Sequence, residues 1–149
     1  LFRSLSVGTF YNCLESKENF LAEIVTAIGQ RTRRYLSIHL PVGVSRWELE
    51  VRGIWTFLRY FGERLEYYEI VREAEFVRPA AVRDYYDAFE EGYCRNLVAY
   101  PEKQRHVIAN FLMGISHYLG IEVFFSDGVA NAAASVRALG ALLARGVPE

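Results

Sequence analysis

The chain has 149 residues, of which 52% are hydrophobic and 15% aromatic, and this composition suits one domain with a single large core. The net charge of −1 is uneven: residues 1–34 carry five basic and three acidic side chains, whereas residues 63–91 carry four basic and nine acidic. Phosphate contacts need clustered lysine and arginine, so any nucleic-acid surface is confined to the N-terminal end. The acidic run predicts a solvated helix face.

The N-terminal half predicts two helices. Apolar residues recur at spacings of three, four and seven over residues 17–39, with Ser16 as the expected N-cap. After a break, Ser45 and Glu48 form a capping box that opens a second helix, expected to end at Gly62. The apolar faces comprise Leu21, Ile24, Val25, Ile28, Tyr35 and Leu36 in the first helix, and Trp47, Val51, Ile54, Trp55, Leu58 and Phe61 in the second.

The second half predicts four more helices, over residues 65–74, 79–98, 101–124 and 128–145. Strand signals are almost absent, so the expected fold is an all-α helical bundle. The third of these helices is apolar enough to resemble a membrane span, but its polar residues would be costly in hydrocarbon. We therefore expect it to be buried between helices or subunits, with no membrane partner. The polar residues of this helix that would be costly in hydrocarbon are Asn110, His117 and Glu122.

Residues that commonly act in catalysis or metal binding are few and lie far apart in the sequence. Cys13 and Cys94 lie far apart without C-x-x-C spacing, which predicts a reducing, cytoplasmic setting. His39, His106 and His117 do not stand in a set of carboxylate or cysteine partners that would indicate a metal site. No phosphate-binding loop, dinucleotide fingerprint or nucleophile motif occurs. We predict that the protein is not an enzyme and uses no metal and no cofactor.

The stretch SLSVGTFYNCLESKENF at residues 4–20 resembles the recognition helix and the next helix of TetR (tetracycline repressor) family transcriptional regulators. The family pattern reads roughly S-x-G-x-[LF]-Y-x-x-F-x-S-K-E-x-L. More loosely, residues 67–76 look like the sixth helix of that family, and residues 111–119 and 139–147 look like its last two, which form its dimer interface. The residues that match the pattern are Ser6, Gly8, Phe10, Tyr11, Ser16, Lys17 and Glu18.

The resemblance implies a TetR-like C-terminal ligand-binding and dimerisation domain over residues 17–149, preceded by a helix-turn-helix remnant in residues 1–16. The implied function is a homodimeric transcriptional regulator that senses a mostly apolar small molecule and couples its binding to DNA release. The alternative is a helical dimerisation or protein-interaction module that has lost DNA binding.

The N-terminal motif also has a physical interpretation. Small residues let a helix backbone approach DNA, polar ones reach base edges or phosphates, and a lysine in a first helical turn favours a phosphate. Family members carry two helices before this point, where this sequence has only residues 1–5. Either those helices are missing from the sequence, or DNA binding has been lost, so operator DNA is an expected partner only if they exist. The predicted DNA contacts are Ser6, Gly8, Thr9, Tyr11, Asn12 and Lys17.

Two further sets of residues complete the predicted sites. Aromatic residues exceed what a small helical core needs, which predicts a pocket for a mostly apolar effector. Small side chains in the last helix suit a tight helix contact, which predicts pairing of two protomers. The predicted ligand contacts are Trp55, Tyr67, Tyr86, Phe89, Tyr93, Phe111 and His117. The predicted dimer contacts are Ile115, Leu119, Ala130, Ala133, Ala134, Arg137 and Ala141.

Overall fold

The computed structural model describes the backbone of residues 7–125 and 129–145, and the side chains from residue 16 onward within those ranges, residue 131 excepted. These residues form six packed helices and no strand, so the predicted all-α bundle is confirmed. The helices are α1 (Val7–His39), α2 (Arg46–Gly62), α3 (Leu65–Val77), α4 (Pro79–Asn96), α5 (Glu102–Phe125) and α6 (Val129–Arg145).

Helix α2 begins with the predicted cap, but only half of the capping box forms. The Ser45 hydroxyl accepts a hydrogen bond from the Glu48 backbone N–H at 3.3 Å. The Glu48 carboxylate does not complete the box, because it accepts from the Arg52 guanidinium at 2.7 Å and 3.1 Å one turn further on. The helix ends at Gly62, as predicted.

Helix α1 differs from its prediction at the N-terminal end. The expected start at Ser16 is wrong, because the backbone is helical without a break from Val7 through Ser16 to His39. A serine costs little inside a helix when its side chain points to solvent, and Ser16 is exposed. The segment that resembles a recognition helix is therefore continuous with the following helix, which is 33 residues long in total.

Two apolar clusters form the core. The first joins α1, α2, α3 and α4, with Val25 and Ala74 fully buried at its centre. The second joins α2, α5 and α6, where Leu58 and Leu112 are fully buried. Phe57 on α2 packs against both clusters. Helix α2 is thus the central element, and it holds the two halves of the bundle together.

Helices α1 and α4 pack closely at a glycine. A Cβ atom added to Gly29 would lie 2.9 Å from the Tyr85 Cδ2 atom, and Tyr85 is buried. A side chain at position 29 would therefore push the two helices apart. This contact holds the aromatic face of α4 directly against α1.

Among the described residues, α5 is the one helix whose length and composition would allow it to cross a membrane. It packs against α2, α4 and α6, and its inner face buries Ala109, Leu112 and Val123. Core helices of bundles share this composition. The outer face of α5 is also apolar, and that face is described with the other candidate sites below.

Candidate functional site

A partly open cavity of about 470 Å³ lies between helices α1 to α5. This volume falls in the range of small-molecule sites. The cavity lies where the two core clusters diverge, and most of its wall is apolar. The apolar lining comprises Leu36, Leu40, Leu49, Phe57, Phe61, Val71, Tyr85, Phe89 and Met113.

One wall of the cavity carries an ion pair at the start of α2. The Arg46 guanidinium contacts the Glu50 carboxylate one turn later, and Arg46 Nη1 donates to the Asn96 carbonyl at 3.1 Å. Burial raises the pKa of the Glu50 carboxyl, and Arg46 opposes that rise. Burial, and then the Glu50 charge, raise the pKa of Tyr93, while Ser116 lowers it. The Tyr93 hydroxyl is therefore protonated at neutral pH and can donate a hydrogen bond.

A second polar region of the cavity lies nearer the N-terminal end of α4. Tyr86 precedes Tyr93 by seven residues, which places the two about 10 Å apart along the helix axis. Tyr86 shares this region with Tyr68 and His117, whose ring centroids are 6.3 Å apart. Burial, with Glu75 adding to it, raises the pKa of Tyr86 to about 12, and burial lowers the pKa of His117. The region therefore presents uncharged hydrogen-bonding groups at neutral pH.

Three buried polar atoms of the cavity residues make no hydrogen bond among the described residues: Arg46 Nε, Arg46 Nη2 and the Tyr68 hydroxyl. Arg46 Nη2 is ion-paired with Glu50, so Arg46 Nε and the Tyr68 hydroxyl are the two without a protein partner among those residues. Each such group costs about 1–3 kcal/mol relative to a satisfied one. An acceptor atom on a bound molecule would recover part of this cost. The cavity thus combines an apolar body with two separated polar ends.

The structure brings together four of the seven predicted ligand contacts. Tyr86, Phe89, Tyr93 and His117 line the cavity. The other three lie outside its lining, because their side chains face other parts of the bundle or the solvent. Trp55 packs against the cluster of α2, α5 and α6, Tyr67 accepts a hydrogen bond from Arg31 at 3.2 Å, and Phe111 is 53% exposed on α5.

The polar residues that distinguish this cavity were not predicted from the sequence. Glu50 lies four residues before Ile54 and eight before Leu58, both of which are buried. An acidic residue on the apolar face of a helix is unusual, and this position could have identified Glu50 as a candidate site residue. Arg46 precedes Glu50 by four residues on α2, so their pairing could also have been read from helical spacing. Ser116 carried no comparable signal, because only the packing of α5 against α4 brings it to Tyr93.

Five of the six predicted DNA-binding residues lie in the N-terminal part of α1, and Ser6 lies outside the described residues. The backbone of Gly8, Thr9, Tyr11 and Asn12 is helical, and their surroundings are not among those described. Lys17 is exposed. Directly after Lys17, α1 contacts the junction of α3 and α4, where the Arg78 guanidinium donates to Asn19 and lies 3.8 Å from Glu18.

The predicted dimer contacts divide between the inside and the outside of the protomer. Ile115 and Leu119 are half-buried against the cluster of α2, α5 and α6, and Ala133 is half-buried. The outer faces of α5 and α6 carry the remaining predicted contacts together with large apolar side chains. The exposed predicted contacts are Ala130, Ala134, Arg137 and Ala141, and the exposed large side chains are Val107, Phe111, Tyr118, Phe125 and Leu142.

No protein-family model matches the sequence, and no curated protein is similar to it.

Proposed function

We propose that this chain is the effector-sensing and dimerising part of a TetR-like transcriptional regulator. In this proposal a small molecule binds in the cavity lined by helices α1 to α5 and changes the position of α1. The N-terminal end of α1, which carries residues 7–18 of the motif, is the DNA-contacting end. Ligand binding therefore weakens binding to operator DNA.

The observation that carries the proposal is the course of α1. Its last two turns line the cavity through Arg33, Leu36 and Ser37. Leu36 and Ser16 are 20 residues apart on one uninterrupted helix, which corresponds to about 30 Å. A packed helix moves as a rigid unit, so a displacement at the cavity reaches the distant end. Half-site spacing on DNA is fixed by the duplex, so small displacements weaken binding by a dimer.

The chemistry of the cavity indicates the class of effector. Its lining favours a mostly apolar molecule, while the free Arg46 Nε atom and the Tyr68 hydroxyl favour a hydrogen-bond acceptor. Glu50 neutralises the Arg46 charge, so the acceptor need not be an anion. The proposed effector is an uncharged, largely hydrocarbon or aromatic molecule with a carbonyl, ether or hydroxyl oxygen.

Support for a homodimer comes from the outer faces of α5 and α6. Phe111 and Tyr118 are 53% and 74% exposed, and small residues such as Ala134 and Ala141 are exposed on the neighbouring helix. Large apolar side chains beside small ones suit close helix packing, and contiguous exposed apolar surface marks interaction sites. The proposed occupant of this surface is a second copy of the same chain.

We expect Ala134→Arg to convert the dimer to a monomer. The side chain at position 134 is exposed within the protomer, so arginine leaves the bundle intact, but it would bury an unpaired charge between subunits at a cost of about 3 kcal/mol or more. Sedimentation velocity over a range of concentrations measures the change. Ala80→Arg, at an exposed position of α4, is the matched control and should remain dimeric. A monomeric wild type, or an unchanged Ala134→Arg dimer, would remove this interface from the proposal.

The regulatory proposal is tested by DNA binding of the gene product at its natural length. Fluorescence anisotropy with duplex DNA from upstream of its own gene should show an association constant whose logarithm falls linearly with the logarithm of salt concentration. A compound that raises the melting temperature in a thermal-shift screen should lower this affinity. DNA binding without salt dependence or without a response to the compound would contradict the proposal.

The second candidate is an interaction module that dimerises or binds a protein partner without DNA or ligand. The exposed apolar face of α5 favours it equally well. A flat thermal-shift response across a broad library of apolar compounds, together with no measurable DNA affinity, would favour this candidate. A ligand-dependent rise in melting temperature would favour the sensor.

A further inference from the structure

A cluster of three potential metal ligands lies on the outside of the bundle, where the end of α4 meets the start of α5. Glu90 and Cys94 are one turn apart on α4, and His106 reaches them from α5. One ligand atom from each residue lies within 4.8 Å of the other two. Within the part of the chain that the structure describes, this is the one group of three such residues.

We propose that Glu90, Cys94 and His106 bind a divalent transition metal ion of the zinc class. A thiolate, an imidazole and a carboxylate together form a ligand set that suits Zn²⁺ and Co²⁺, whereas Mg²⁺ and Ca²⁺ prefer all-oxygen sites. The site lies apart from the effector cavity, whose lining contains none of the three residues.

The distances need only small adjustments. His106 Nδ1 is 2.7 Å from Glu90 Oε1 and 3.9 Å from Cys94 Sγ. In a tetrahedral zinc site the corresponding ligand atoms are separated by roughly 3.4–3.6 Å, given metal–ligand bonds of about 2.0–2.3 Å. These two distances need to change by under about 1 Å, and the separation of the Glu90 and Cys94 ligand atoms, which is at most 4.8 Å, needs to shorten by at most about 1.4 Å. The backbone of α4 and α5 can remain in place.

Access and charge are compatible with an ion. The His106 side chain is 53% exposed and the Glu90 side chain is 25% exposed, so an ion can enter from solvent and keep water at a fourth position. Glu90 and Glu102 place negative charge near the Cys94 thiol, and the Arg105 guanidinium places an opposing positive charge there. Binding replaces the hydrogen bond that His106 Nδ1–H donates to Glu90. The Nδ1 proton is lost to solvent from an imidazolium or moves to Nε2 by tautomerisation, the thiol proton leaves to solvent, and three bonds to the metal form.

A surface hydrogen bond is the competing interpretation. An exposed pair such as His106 and Glu90 contributes only about 0–1 kcal/mol and needs no third residue. The thiol distinguishes the two interpretations, because Cys94 would be dispensable to the pair but is required for a metal site with a sulfur ligand. The test therefore measures whether the Cys94 sulfur coordinates the ion.

Co²⁺ reports directly on thiolate coordination. Titration of the 149-residue chain with Co²⁺ should produce a sulfur-to-cobalt charge-transfer band that saturates at one ion per chain and disappears when Zn²⁺ is added. Cys94→Ser should abolish the band, and His106→Asn and Glu90→Gln should weaken Co²⁺ affinity at least about tenfold. Cys13→Ser and His39→Asn are the matched controls and should bind as the wild type does.

Thermal unfolding supplies a second readout. Zn²⁺ should raise the melting temperature of the wild type and of both controls, because the ion joins α4 to α5 only in the folded state. It should leave the melting temperature of Cys94→Ser unchanged. Absence of the charge-transfer band in the wild type, its persistence in Cys94→Ser, or its loss in Cys13→Ser would each overturn the proposal.

Discussion

Arg46→Ala is expected to lower the free energy of unfolding by about 3–5 kcal/mol. Arginine removal leaves the buried Glu50 carboxylate without its charge partner and removes the hydrogen bond to the Asn96 carbonyl. Urea unfolding of wild type and variant, followed by circular dichroism, measures the difference. The double variant Arg46→Met, Glu50→Leu should recover most of the loss, because it replaces the pair by apolar groups of similar volume.

The loss should depend on pH in a defined direction. Burial raises the pKa of Glu50 above its ordinary value of 4.5, and Arg46 opposes this rise, so the variant has a still higher folded-state pKa. A carboxyl whose pKa is raised on folding favours the folded state below its unfolded pKa, and this stability is lost as pH rises through the folded pKa. The cost of Arg46→Ala should therefore be largest near neutral pH and smallest near about pH 4. A cost that is independent of pH would show that packing, not charge, is responsible.

Gly92→Phe is expected to abolish effector binding without unfolding the protein. Gly92 lines the cavity, and a Cβ atom added there would meet nothing closer than the Arg95 Nη2 atom at 3.9 Å. A phenyl ring can therefore enter the cavity without displacing the backbone. A bound compound at a hundred times its Kd stabilises the wild type by about 2.7 kcal/mol, and this gain should vanish in the variant.

Gly92→Ala is the matched control for the cavity. It adds only a methyl group, improves helix propensity by up to about 1 kcal/mol, and should keep the response to the compound. Thermal shift at several compound concentrations compares the three proteins. A compound that stabilises Gly92→Phe as strongly as the wild type binds elsewhere, and the cavity would then lose its proposed role.

Much of the fold was predictable from the sequence because it depends on local rules. Apolar spacing of three and four residues predicted every helix, and Pro79 and Gly62 marked a start and an end that the structure confirms. The error at Ser16 has a physical cause: serine can cap a helix or point to solvent within one, and local sequence does not distinguish these states.

The candidate sites were predictable only in part. Aromatic residues on α4 such as Tyr86, Phe89 and Tyr93 recur at spacings of three, four and seven, so their shared face could be read from the chain. Phe111 shows the limit of this reasoning, because an apolar helix does not reveal which of its faces packs inside the protomer. That choice depends on the orientation of α5 against α2 and α4.

The sequence by itself determined the helical class, the number of helices and most of their ends, because hydrogen bonding within a helix and its caps are local. Only the tertiary structure decided which residues meet across helices. It placed Arg46 and Glu50 beside Tyr93, and it brought His106 to Cys94 from another helix. Such contacts depend on helix crossing angles and on the packing of whole faces, and neither quantity is encoded in residue spacing along a single helix.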